Sequence, residues 1–214
     1  MRVAIQGERD GHDFLELAAG QGASAALVSR LRPEVELTQI LVPDTEKGLA
    51  DIGRAARSRM SVPVIGITGS VGKTSTKDLL AAIAAHSGPV AASEKSLNNE
   101  LGVPLTLANA LAEAERVIIE MGARGVGHIR YLCEIAEPTI GIVTRVALAH
   151  TEMFGSLEAT AEAKSELVQS LPSSGTAVLN AEDPLVAAMA DRTDATVITY
   201  GSTGEVVAEA VALD

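Results

Sequence analysis

The chain has a single cysteine, Cys133, among its 214 residues. A disulfide framework and a four-cysteine zinc site are both excluded. It has no Trp, two Tyr and two Phe, so platforms for stacking bases are scarce. There is no excess of positive charge: 17 basic residues stand against 28 acidic ones, a formal net charge of −11. A global field that attracts nucleic acid is excluded, and any steering of a polyanion has to be local. No apolar run approaches the length of roughly 18 residues that a membrane-crossing helix needs. The opening residues Met1 to Asp10 carry charge and lack the apolar stretch of a signal peptide. A cytoplasmic, non-membrane protein that does not bind nucleic acid is expected. Internal repeats and low-complexity tracts are lacking too.

What remains is a globular balance, 47% hydrophobic and 21% charged, whose core is built from Ala, Val, Ile and Leu. Short β-rich runs recur at Val3–Gln6, Ala25–Val28, Gln39–Val42, Val64–Thr68, Arg116–Glu120, Thr139–Thr144, Thr176–Leu179 and Thr196–Tyr200. Between them, apolar residues fall at helical spacing over Thr76–Ala85, Glu100–Leu111, Gly127–Ala136, Leu157–Leu171 and Pro184–Ala190. Alternation of this kind predicts an α/β fold, a mostly parallel sheet with helices on both faces. The runs at 64–68 and 139–144 are apolar almost throughout, as central strands are. Ser58–Pro63 interrupts a helical stretch, and Pro63 disfavours helix at Val62. A border is expected there, with a small partial α/β domain over 1–60 and a main domain over 61–214. The chain opens nearly in a strand and closes on a strand-like run, Val206–Leu213, so it is expected to be a piece of something longer.

The strongest local signal is Val64–Thr76, an apolar strand running into a glycine-rich turn, then Lys73, then hydroxyls, then a helix. Gly69 and Gly72 permit backbone angles and a close approach that a Cβ would block. Backbone N–H groups over Thr68, Gly69, Ser70, Val71, Gly72, Lys73, Thr74 and Ser75 can converge on phosphate oxygens at the start of a helix. Lys73 supplies charge for β- and γ-phosphates, and Thr74 offers a hydroxyl to Mg²⁺. The general phosphate-loop pattern wants a further glycine where Ile67 stands. The plain alternative is a strand-to-helix turn with no ligand.

Ligands of open α/β sheets bind beyond the carboxyl ends of the strands. Glu120 ends one run, and His150 follows another. Each is a candidate metal ligand; singly, each also reads as a solvated strand-end acid or a loop histidine. Lys164 lies between Glu162 and Glu166 and reads from its context as solvent-facing. Asn180 and Asp183 read as an Asx turn capping the helix that begins near Pro184, compatible with a nucleotide contact. Asn98 and Asn99 precede a helix and read as caps. His12, His86 and His128 show no ligand spacing, and Cys133 reads as a small buried hydrophobe.

Taken in order, Val3–His12, Thr68–Thr76, Leu97–Thr106, Ile119–Ala123, Ala149–Ser156, Ala163–Glu166 and Leu179–Asp183 resemble the Mur ligase family. Gly7–Arg9, Asp10–His12 and the Leu97–Asn99 block are most similar to the branch that joins D-Ala-D-Ala to UDP-N-acetylmuramoyl-tripeptide. The resemblance implies an ATP- and Mg²⁺-dependent, amide-forming ligase of peptidoglycan precursor synthesis working through an acyl phosphate, and a monomer. It implies that Lys73 binds ATP phosphate and that Thr74, Glu120 and His150 hold magnesium. It further implies that Lys164 is carbamylated, that Asn180 lies near the adenine, and that Asn98 and Asn99 meet the substrate. The opening segment resembles the later part of the family's UDP-sugar-peptide domain, and the family's C-terminal domain is not represented. Arg145 stands where the family commonly has Asn, and Thr151 where Leu is common. The first block is one residue short between Arg9 and Asp10. Alternatives are another ligase of the superfamily, of folylpolyglutamate or cyanophycin type, and a non-catalytic ATP-binding remnant.

Overall fold

The computed structural model describes residues 1–110, 112–147 and 155–209. His150 and Glu152 therefore lie outside the described residues. The chain divides into two compact units, Met1–Ile52 and Gly53–Asp214.

The first unit is a three-stranded parallel sheet in the order β1 (Arg2–Val3), β2 (Ala25–Val28), β3 (Thr38–Leu41). A short helix α1 (Leu15–Gly20) connects the first two strands, and Ala4, Leu15, Ala26, Val28 and Val35 form its core. β1 ends at Val3, short of the expected Gln6. The chain turns there, with Gly11 N donating to Ile5 O at 2.8 Å. His12 is buried, with Nδ1 2.7 Å from Asp10 Oδ1 and Nε2 accepting from Ser29 N at 3.0 Å.

Helix α2 (Thr45–Arg57) spans the division between the units, which therefore falls earlier than the Ser58–Pro63 break. The reason lies in the residues that follow Ile52. A Cβ on Gly53 would stand 2.6 Å from Pro104 Cβ, and Arg57 Nε donates to Ala136 O at 2.8 Å.

The second unit is built on a six-stranded, all-parallel sheet. Its strands are β4 (Val64–Thr68), β5 (Val90–Ala92), β6 (Arg116–Glu120), β7 (Ile140–Val143), β8 (Thr176–Asn180) and β9 (Thr196–Tyr200), in the order β5-β6-β4-β7-β8-β9. β4 and β7 occupy the middle, as their apolar sequences predict. Helices α3 (Lys73–Ala84), α4 (Gly102–Asn109), α5 (His128–Ala136), α6 (Leu157–Gln169) and α7 (Pro184–Ala187) accompany it.

Alternation along β4 sets the two faces. Ile65 and Ile67 pack with Ile118 and with Leu80 and Ala81 of α3. Gly66, pointing the other way, pairs in register with Gly141 of β7, and a Cβ on either would crowd Leu167 of α6, at 2.9 and 3.1 Å. The Ile-Gly-Ile repeats of the two central strands thus seat one leucine between them.

Three expectations need correction. β5 was not foreseen, because three residues rich in alanine at a sheet edge carry no periodic signal. α3 begins at Lys73 rather than Thr76, since the left-handed Gly72 (φ +85°) passes directly into the helix. The run from Val206 is not a strand over the described residues 206–209. Only Val206 bridges to Tyr200, after a turn closed by Gly204 N donating to Gly201 O.

Candidate nucleotide and metal site

β4 leads straight into the glycine loop, and the segment after β7 clamps it. Ser70 N donates to Arg145 O at 2.7 Å, and Ser70 Oγ donates to Ala147 O at 2.9 Å. Thr144 Oγ1 donates to Val71 O at 2.6 Å, with Thr68 O at 3.2 Å. The unusual Arg145 is tolerated because its backbone carbonyl makes the contact, while its side chain is exposed. Gly69 (φ +151°) has no room for a side chain, since a Cβ would stand 1.9 Å from Thr144 Oγ1. The loop is therefore a rigid, close-approach turn opening α3, and Lys73 Nζ rests on it, donating to Gly69 O at 2.8 Å. Burial pushes the Lys73 ammonium below the ordinary lysine range, against the raising pull of Glu120.

Glu120 is not a solvated strand-end acid: it is 1% exposed. Parallel pairing of β4 with β6 brings its carboxylate beside the loop. Thr74 Oγ1 donates to Glu120 Oε2 at 2.9 Å, and Asn98 Nδ2 donates to Oε1 at 2.8 Å. A hydroxyl and a carboxylate are hard oxygen donors of the kind Mg²⁺ takes. Among the described residues, no cluster of three or more His, Cys, Asp or Glu gathers as a metal site. Such a pair suits an ion that takes further ligands from phosphate oxygens and water, as Mg²⁺ usually does.

Beside this pair opens a cavity of about 390 Å³ lined in part by Gly69, Lys73, Asn98, Arg124, His128 and Lys164. Lys164 is buried, not solvent-facing; α6 turns it inward together with Glu166. Burial, reinforced by the positive charge of Lys73, lowers its ammonium to about 8. Asn99 also lines the cavity and caps α4, its Oδ1 accepting from Gly102 N at 3.0 Å.

Asn180 and Asp183 reach the loop indirectly. Asn180 Oδ1 accepts from Glu182 N at 3.0 Å, the expected Asx turn, and its Nδ2 donates to Thr144 O at 2.9 Å. Asp183 caps α7 through Leu185 N and Val186 N, and its Oδ2 accepts from Val146 N at 2.7 Å. Both residues hold the segment that clamps Ser70. Cys133 is buried as expected, and its thiol is pushed up to about 12, mainly by burial.

Three contributors were not legible in the sequence. Arg124 and His128 line the cavity because the stretch after β6 folds back beside it. Lys77 lies four residues after Lys73, a same-face spacing that offered the one available hint.

Residues 67–213 match the model of the Mur ligase middle domain. The chain belongs to the Mur ligase family. It is 42% identical, over 99% of its length, to the UDP-N-acetylmuramoyl-tripeptide–D-alanyl-D-alanine ligase of Mycobacterium tuberculosis, covering 46% of that protein. It is similar to a crystal structure of MurF from Acinetobacter baumannii, with a TM-score of 0.87 and 30% identity over 96% of this chain and 46% of that one. It is also similar to MurF ligase from Thermotoga maritima, solved in complex with ADP, with a TM-score of 0.83 and 32% identity over 95% and 48% of the two chains. The chain spans about half the length of the curated relatives it matches. These Mur ligase matches do not favour the folylpolyglutamate or cyanophycin alternatives. Among the described residues, no helix is long and apolar enough to cross a membrane.

Proposed function

We propose that this chain carries the ATP-binding part of a ligase joining D-Ala-D-Ala to UDP-N-acetylmuramoyl-tripeptide in the cytoplasm, with residues 1–60 contributing to the UDP-sugar-peptide side. The observation that carries the reading is the Thr74–Glu120 hydrogen bond beside Lys73 at the mouth of a clamped glycine loop. Mur ligase kinship and the ADP held by the Thermotoga maritima neighbour support it.

In this reading, the backbone N–H groups of Gly69 to Ser75 and the Lys73 ammonium hold the β- and γ-phosphates. Lys73 leaves Gly69 O to do so. Thr74 and Glu120 would hold Mg²⁺, with His150 as a further ligand. The ion would offset charge on the phosphates as two anions approach. The terminal carboxylate of the tripeptide attacks the γ-phosphorus, and ADP leaves with the electron pair of the broken P–O bond. The free amine of D-Ala-D-Ala then attacks the acyl carbon, phosphate departs, and the amine proton passes to water. Asn98 and Asn99 meet the substrate in the cavity, and Asn180 and Asp183 lie on the nucleoside side.

Lys164 suits carbamylation chemically. An amine with a pKa of about 8 keeps an appreciable neutral fraction near neutral pH, and only the neutral form adds CO₂. The product is an anion, which suits the positive charges of Lys73 and Arg124 on the cavity wall. Calorimetric titration of the chain with Mg·ATP tests the nucleotide site on which the reading rests. Lys73→Ala is expected to weaken binding at least about tenfold, roughly 1.4 kcal/mol; unchanged affinity would refute the phosphate-loop assignment.

A further inference from the structure

Lys77 is a lysine with almost no access to water, 3% exposed, on the helix that opens the phosphate loop. Its ammonium donates to Ser93 O at 2.8 Å and Lys95 O at 3.1 Å, and stands 2.9 Å from Asp78 Oδ1. Three acceptors match its three donors. Burying an ammonium is costly unless it is paired in this way, so such a residue fixes whatever holds it. What holds it is the stretch after β5, where Lys95 adopts a left-handed conformation (φ +50°) that side chains seldom take.

That stretch leads directly to Asn98. Asn98 O accepts from Gly122 N at 2.7 Å, and Asn98 Nδ2 donates to Glu120. Ser93 Oγ accepts from Glu120 N at 3.2 Å. A closed ring results. Thr74 and Lys77 share one helix; Lys77 holds 93–95; that segment holds Glu120 from its backbone and, through Asn98, from its side chain; and Glu120 returns to Thr74. We propose that Lys77 is a positioning residue. It anchors segment 93–98 to the phosphate-loop helix, so that Asn98 orients the Glu120 carboxylate for the metal ion of the bound nucleotide. This inference rests on the nucleotide reading for its metal, but not for the anchoring itself.

The test uses the 214-residue chain with Lys77→Met and has two arms. In the nucleotide-free chain, amide hydrogen exchange at Leu97 and Gly122 is expected to rise at least tenfold, while exchange in β7 and β8 stays unchanged. In calorimetry with ADP, the Mg²⁺ concentration for half-saturation is expected to rise at least tenfold, with metal-free ADP affinity little altered. That effect is expected to vanish in an Asn98→Ala background, because the two changes act through one path. Should Lys77→Met lose its cooperative melt, Lys77→Gln, which keeps a polar head too short to reach both carbonyls, is measured in the same way. Unchanged exchange at Leu97 and Gly122 overturns the anchoring. Equal effects in the wild-type and Asn98→Ala backgrounds overturn the route through Asn98. If the wild-type chain itself shows no Mg²⁺-dependent ADP binding, the nucleotide reading falls and the proposed link to the metal falls with it; that failure is recognised because it appears without any substitution.

Discussion

Thr74 Oγ1 and Glu120 Oε2 lie 2.9 Å apart, although 45 residues separate them in the chain and only parallel pairing of β4 and β6 brings them together. A buried carboxylate satisfied by a hydroxyl and a side-chain amide is held at one orientation. In the proposed reading, that fixed orientation prepares the carboxylate for the cation of the nucleotide. Glu120→Gln keeps the shape and removes the charge. Calorimetry with ADP is expected to show the Mg²⁺-dependent gain in affinity reduced at least tenfold, with metal-free binding retained.

Gly69 tests the loop's shape independently of any ligand. An added Cβ would meet Thr144 Oγ1, the hydroxyl that braces Val71 O. Gly69→Ala is expected to destabilise the chain by about 2–4 kcal/mol in urea titration. Adding Thr144→Ala is expected to cost less than the sum of the two single changes, because the clash and the brace involve one group.

Lys164 carries a pH dependence with a definite sign. The fold lowers its pKa from 10.5 to about 8, so burial of the charged form opposes folding at neutral pH. That opposition is fully present below pH 8 and fades as pH rises from 8 to 10.5, to a total of about 3 kcal/mol. Lys164→Met is expected to melt above the wild-type chain at pH 7. The gap should close as pH rises through that window, and bicarbonate at pH 7–8 should narrow it by converting the amine to an anion.

Glu166 is a buried carboxylate of α6 that accepts from Gly127 N and from Arg130 N (3.0 Å), capping α5. Hydrogen bonds to a charged group contribute more than neutral ones. Glu166→Ala is expected to lower stability by about 2–3 kcal/mol. Glu166→Gln, which keeps one acceptor, should lower it by about 1 kcal/mol. Thermal melts compare the two.

The phosphate loop and the parallel sheet were legible because they are local. Val64–Thr76 places strand, glycines, lysine and hydroxyl in unbroken order, and β4 and β7 announce their burial by apolar composition. The ordered blocks also pointed to the Mur ligase family, which residues 67–213 bear out. Neither Lys164 nor Glu120 shows its burial in its immediate neighbours. Lys164 sits between Glu162 and Glu166 and reads as solvated, Glu120 ends an apolar run and reads equally as a ligand or a solvated acid, and only the packing of α6 and β6 shows that each is enclosed. Lys77 offered only its spacing from Lys73 and Glu166 no sign at all, because, the adjacent Asp78 apart, the groups that hold them lie 16 to 39 residues away and are backbone groups, which carry no sequence signal.

By itself, then, the order of residues determined most of the segments that extend or coil and where glycine is required, since these follow from near-neighbour spacing, and its ordered blocks resembled the Mur ligase family. Tertiary structure alone decided which charges are enclosed and whom they face. The free energy of a buried ion depends on donors and acceptors brought up from distant strands, and those meet only once the sheet has formed.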